Sequence, residues 1–185
     1  KVVAQVPVNV VPTSNILFSP DGSRAYMGEA DQVVVVNTAT HAIVGRWTVL
    51  TSQSNSFLSG MALSSDGSRL YVVTYNDKKL ITFNTATGEE LSRFGYDNEP
   101  TSLVVNSATQ RAILFGDRTG LSVSVNLANE AIIKETSIGG APKALGSVVS
   151  NGAPAQLIDS GAGSGGGGGC GYLSGNGGPP DPTLP

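Results

Sequence analysis

A short pattern occurs twice in this chain, and the distance between its copies restricts the fold more than any other feature. Phe18-Ser19-Pro20-Asp21-Gly22-Ser23-Arg24-Ala25-Tyr26-Met27 returns 45 residues later as Leu63-Ser64-Ser65-Asp66-Gly67-Ser68-Arg69-Leu70-Tyr71-Val72. Asn37-Thr38-Ala39-Thr40 returns 47 residues later as Asn84-Thr85-Ala86-Thr87. A third, worn copy passes through Arg111, 42 residues after Arg69, and continues over residues 121–126 and 131–138 without the Asp-Gly pair.

The clearest copy, residues 59–94, reads as four short strands joined by three turns. An apolar run around Leu63 stops at Ser65-Asp66-Gly67-Ser68, where glycine supplies positive φ and the aspartate side chain caps the hairpin. Residues 70–75 are β-branched and aromatic, and Asn76-Asp77-Lys78 makes the second turn. Leu80, Thr82 and Asn84 alternate with Ile81 and Phe83, the period of a strand with two different faces. A turn opened by Asn84 follows, then a polar last strand over residues 89–94. Asp21, Gly22 and Asn37 take the same turn positions in the first copy. A period in the low to middle forties with four strands per unit is that of a β-propeller blade, so the fold class is all-β, built of four-stranded antiparallel blades.

The divisions that follow are an outer strand over residues 1–8, blades over 9–50, 51–96 and 97–139, a partial blade over 140–159, and a Gly/Pro-rich tail over 160–185. Residues 1–8 align with 133–139, the last strand of the third copy, and residues 142–150 and 155–159 read as two inner strands. That makes three complete blades, one leading outer strand and two trailing inner strands. An open arc of three would leave two apolar end faces of about 500 Å² each, near the largest patch a monomer carries. Exposing one forgoes about 12 kcal/mol, as much as a whole domain's ~5–15 kcal/mol. Three remedies are open: further blades in cis on a longer chain, identical chains in trans forming a ring or filament, or closure of a small four-blade ring.

At these residues a family resemblance can be stated. "SPDGSRAYM", "SSDGSRLYVV", "VVVVNTAT" and "ITFNTATGEE" resemble the YVTN-type propeller repeat, with a Pro-Asp-Gly turn, a Tyr-Val strand and an Asn-Thr-Ala-Thr-Gly turn. The links over residues 8–12, 97–100 and 139–142, each ending in proline, are similar to that family's too. The resemblance covers roughly residues 1–158 and implies a fold, while propellers host many unrelated activities. The tail resembles a JDVT-CTERM bacterial sorting signal: a Gly-rich spacer, the single Cys170, then Asp181-Pro182-Thr183-Leu184-Pro185. In that family a hydrophobic helix and a basic end follow, and a membrane protease is thought to process the tail. The resemblance implies export in a bacterium and attachment to the membrane or cell surface, with lipid on the Cys170 thiol as a hypothesis. The plain alternative is a flexible linker bearing a free thiol that pairs with another chain.

Composition removes several function classes. Eleven basic against fourteen acidic residues, with no basic stripe, gives no footprint for nucleic acid. One cysteine excludes an internal disulfide framework and a cysteine-ligated metal site. No apolar run reaches transmembrane length. Residues 1–8 lack the apolar core and cleavage box of a signal peptide, so the sequence as given is expected to start after any export signal.

Catalytic chemistry is thin. The only histidine, His41, sits in a turn and reads as a solvated residue. Haem would want axial histidines, and no cofactor or metal site is expected. Glu89 and Glu90 are neighbours in a strand and point to opposite faces. Glu29 and Asp31 in residues 28–31 lack the spacing of a calcium loop. The GxGxxG match at residues 161–166 follows no βαβ unit and reflects composition alone. Most aromatic residues, Trp47, Phe57, Tyr71, Phe83, Phe94 and Phe115, are expected in packing, while Tyr75 and Tyr96 stand near loop positions, where rigid scaffolds carry binding faces. The expectation is a non-enzymatic, extracytoplasmic propeller module acting as a structural or recognition scaffold. The alternatives are a self-assembling subunit, and a fragment of a lactonase- or dehydrogenase-like propeller whose catalytic blades lie elsewhere.

Overall fold

The computed structural model describes residues 2, 4–7, 12–50, 56–97, 99–116 and 120–137. Among these residues twelve strands form three separate four-stranded sheets, each an antiparallel meander in chain order. The first sheet holds β1 (Pro12–Phe18), β2 (Arg24–Glu29), β3 (Gln32–Asn37) and β4 (Ile43–Thr48). The second holds β5 (Leu58–Leu63), β6 (Arg69–Thr74), β7 (Lys79–Asn84) and β8 (Glu90–Gly95). The third holds β9 (Ser102–Asn106), β10 (Arg111–Gly116), β11 (Leu121–Asn126) and β12 (Ala131–Ser137). These are three propeller blades, and the repeat read from the sequence is their strand order. Short meanders form because a turn interrupts the chain after every five to seven extended residues.

Alternation gives each blade two apolar faces, and the cores lie between blades. One core joins Tyr26, Val33 and Val35 of the first blade to Met61, Leu63, Leu70, Val72, Ile81 and Phe83 of the second. The next joins Ala62, Tyr71, Val73 and Leu80 of the second to Leu103, Val105, Ala112, Leu114, Val123 and Val125 of the third. Trp47, on the outer strand β4, closes the first core by stacking on Phe83 (5.7 Å) and tilting against Tyr26 (5.8 Å). Inner strands β1, β5 and β9 lie next to one another. They are tied by side chains: Asn15 Nδ2 donates to the Met61 carbonyl (3.3 Å) and Ser59 Oγ to that of Pro100 (2.6 Å).

Each outer strand carries a bulge at the same place. Val44, Leu91 and Ile133 are the extra residues in β4, β8 and β12, and all three side chains point out to solvent. Bulged, short outer strands discourage edge-to-edge pairing, so these aliphatic studs come with a device that blunts the edge.

Of residues 1–8, expected as an outer strand, the described ones are 2 and 4–7, and these belong to no sheet. Val6 nevertheless packs, as Met27 and Ile43 do, against the cluster of Ala25, Val34 and Val36 in the first blade. The expected partial blade over 140–159 and the tail over 160–185, with Cys170 and the GxGxxG match, lie outside the described residues.

Candidate interaction surfaces

The turn end of the blades is built from the repeated motif. In the first blade, the Asp21 carboxylate accepts from Ser19 Oγ (2.6 Å), the Ser23 amide (3.0 Å) and Ser23 Oγ (2.8 Å). Asp66 accepts likewise from Ser64 Oγ (2.5 Å), the Ser68 amide (3.0 Å) and Ser68 Oγ (2.8 Å). These donors favour the ionised form, the serine hydroxyls of Ser19 and Ser64 most, and hold both carboxyls at about 2. Gly22 and Gly67 complete the hairpins at φ +70° and +71°. Asn37 Oδ1 accepts from the amides of Ala39 (3.0 Å) and Thr40 (2.9 Å), and Asn84 Oδ1 accepts from Ala86 (2.9 Å) and Thr87 (3.4 Å). The two turns of one blade are locked together, because Thr38 Oγ1 donates to the Gly22 carbonyl and Thr85 Oγ1 to that of Gly67, both at 2.6 Å.

In the third blade, which lacks Asp-Gly, Gln110 takes the left-handed conformation (φ +51°) and its carbonyl accepts from the Leu127 amide (2.8 Å). The tie between turns survives as a backbone bond alone. That is why the motif could wear away without loss of the blade.

Between blades at this end run two equivalent grooves. One, of about 390 Å³, has Asp21, Arg24, Asp66 and Thr85 among its lining, and Arg24 Nη1 crosses it to the Thr85 carbonyl (2.7 Å). The second, about 320 Å³, includes Asp66, Arg69, Ser107 and Gln110, and Ser107 Oγ accepts there from the Ser65 amide (2.9 Å). Asp21 and Asp66 are spent on their own turns and Arg24 on an inter-blade bond, so the grooves are seams between repeats.

The residues singled out as chemical candidates are dispersed. His41 is exposed in its turn at φ +59°. Tyr96 is not on a binding face: it is buried in the second core, its hydroxyl lies 3.4 Å from the Lys79 carbonyl, and burial pushes its pKa well up. Tyr75 stacks on half-exposed Phe57, centroids 5.0 Å apart. Glu90 pairs with Arg93 (2.6 Å), whose Nη2 also reaches the Val49 carbonyl of the preceding blade (3.0 Å). Glu29, read from sequence as a loop carboxylate, is instead a buried residue at the end of β2, paired with Arg46 and accepting from Gln32 Nε2 (3.2 Å). Sequence gave no signal for that burial, since the equivalent places are Thr74 and Gly116. Among the described residues no three His, Cys, Asp or Glu come together as a metal site would require, and no helix is long and apolar enough to cross a membrane.

What remains is the end faces. Register puts Ile16, Phe18, Ala25, Met27, Val34 and Val36 on one face of the first blade, the one turned away from the second. Their repeat equivalents in the second blade, Met61, Leu63, Leu70, Val72, Ile81 and Phe83, are all in the first inter-blade core. Yet Ile16 is 52% and Phe18 64% exposed, against 1% and 5% for Met61 and Leu63. Sequence reasoning had foreseen uncovered end faces; which residues bear the exposure came from register.

No protein-family model matches this chain, and no curated protein matches it. Solved structures do share its fold. The structure of Kuenenia stuttgartiensis hydrazine synthase aligns with a TM-score of 0.59 and 16% identity, over 67% of this chain and 35% of that one. The structure of U3-55K and the crystal structure of RRP9 WD40 repeats each give 0.61 and 15% identity over 70% of this chain, and over 40% and 39% of theirs. The chain thus spans well under half the length of each of these three. The likeness shows the architecture: WD40 repeats build four-stranded propeller blades, and the sheets here are blades of that kind.

Proposed function

We propose that this chain is a non-enzymatic, exported β-propeller module that works as a structural or recognition scaffold at a bacterial cell surface, completed by blades beyond its own three. The observation that carries the proposal is the first blade's outward face, where Ile16 and Phe18 are open while their equivalents one blade on are buried. A blade face of this composition is made to be covered.

The chemistry of the blades supports a scaffold. A general acid or base at neutral pH needs a pKa near 7. The repeated carboxyls of Asp21 and Asp66 lie at about 2 and serve their own turns. Export and surface attachment rest on the resemblance of residues 161–185 to a sorting tail. Under that reading Cys170 is the point of anchoring.

Protease added to intact source cells tests this directly. The proposal expects the blades to be digested, or released into the medium, with the cytosol left intact, and Cys170 to carry added mass in the membrane fraction. Blades wholly protected in the cytosol, or a substrate turned over by the purified native protein, would overturn it.

A further inference from the structure

The two seams at the turn end differ at one side chain, and the difference leaves a charged group facing open space. In the first groove the Arg24 guanidinium is held by the next blade, Nη1 donating to the Thr85 carbonyl (2.7 Å). Arg69 is its repeat equivalent in the second blade, and the place of Thr85 falls to Leu127 in the third. Arg69 makes no such bond across the seam. Among the described residues its guanidinium pairs only with the Tyr71 hydroxyl, two positions on along its own strand. Most of its five N–H donors are thus left to the groove of about 320 Å³ that it lines.

Other groups in that lining are also only partly engaged. Tyr71 is 2% exposed, yet it lines the groove, and its hydroxyl keeps a proton to donate. Ser107 Oγ accepts from the Ser65 amide (2.9 Å), which leaves its own O–H as a donor. Gln110 Nε2 donates to the Ser107 carbonyl (2.8 Å), which leaves Oε1 as an acceptor. Asp66 accepts three hydrogen bonds from Ser64 and Ser68, one fewer than the roughly four a carboxylate can take.

This set of groups selects a ligand chemistry. A planar guanidinium fork matches a carboxylate through two parallel hydrogen bonds. The ionised Asp66 in the same groove repels a dianion such as a phosphate monoester. Hydroxyls beside a single carboxylate would instead donate to Asp66 and to Gln110 Oε1, and accept from Ser107 and Tyr71. The volume is at the small end of the ~300–1,000 Å³ of ligand pockets, which suits a sugar more than a long chain. The first groove is the larger, at about 390 Å³, but its arginine is engaged, so size is not what separates them.

From this we propose that the groove between the second and third blades binds an acidic sugar, its carboxylate on the Arg69 fork and its hydroxyls on Asp66, Ser107 and Gln110. The inference rests on the scaffold reading and deepens its recognition half, by giving the blades a site and a ligand class.

Calorimetric titration of the full 185-residue chain with methyl glucuronide tests it, with methyl glucoside and acetate as comparators. Saturable binding at one site is expected, with a Kd on the order of 1 mM. The glucoside lacks the carboxylate and acetate lacks the hydroxyls, so each should bind at least ~10-fold more weakly. Arg69→Gln should weaken methyl glucuronide at least ~10-fold, with an unchanged far-UV spectrum, because the charge-assisted pair is lost. Arg111→Gln, at the repeat equivalent outside this groove's lining, should bind as the wild type does. No saturable binding, equal affinity for either comparator, binding indifferent to Arg69→Gln, or an equal loss in Arg111→Gln would overturn it. A failed titration would leave the surface location untouched, and a cytosolic location would leave the titration untouched, so the two readings fail separately.

Discussion

The first and second blades present the same face to opposite situations. Met61 and Leu63 meet Tyr26 and Val35 across a closed core, whereas Ile16 and Phe18, in the same register one repeat earlier, meet solvent. Nothing in their side chains makes the difference. The comparison teaches that apolarity in a repeat marks a place to be filled, and that filling is decided by the neighbour. It also explains a change within the motif. His41 and Gly88 occupy equivalent turn positions, both with positive φ (+59° and +75°). A Cβ on Gly88 would overlap the Trp47 indole of the preceding blade, so only glycine fits. The residue equivalent to Trp47 before the first blade is the small Val6, and His41 lies exposed.

The comparison can be broken most severely at the core. Leu63→Ala should cost about 3 kcal/mol in denaturant unfolding, because the lost contacts leave a cavity between blades. Its partner substitution, Phe18→Ala, should change the unfolding of the single chain by less than about 0.5 kcal/mol, because Phe18 is 64% exposed. Equal costs would mean that the first blade's face is already covered. Next comes the turn: Gly88→His should cost about 2–4 kcal/mol from strain and overlap, and His41→Gly less than about 1 kcal/mol, measured by thermal melting.

A smaller effect sharpens the likeness between the blades. Asp21 and Asp66 lie at about 2 when folded, below the ordinary 3.8, so the unfolded chain takes up protons first as pH falls. Their contribution is full above about pH 4 and is lost as pH falls through 2. Asp21→Asn and Asp66→Asn should each flatten the fall in stability across that window, and equally, since each ladder is local to its turn. Smallest is Arg93→Gln, which removes a half-exposed bond to Val49 and the pair with Glu90. A loss under about 1 kcal/mol is expected in chemical denaturation, as for other exposed ion pairs.

Much of this was legible before any coordinates. The paired Asp-Gly and Asn-Thr-Ala-Thr turns gave strand number and order, because a hairpin is a local event set by a few residues with special φ. Asp21, Asp66, Asn37 and Asn84 could be assigned to turns for the same reason. The third blade was legible only through its spacing, since Gln110 stands in for glycine. Tyr96 was misplaced because its position beside a loop hid the core that the next blade closes over it. Glu29 was misjudged likewise, as the Arg46 that makes its burial tolerable is 17 residues away on another strand.

By itself, then, the sequence determined the units: four-stranded sheets, their strand order, and the turns that join them, all governed by contacts within one repeat. The tertiary structure decided which apolar faces are satisfied, which glycine is obligatory, and where a carboxylate can be buried. Those depend on what lies across the gap between blades, and no residue carries that information in its own repeat.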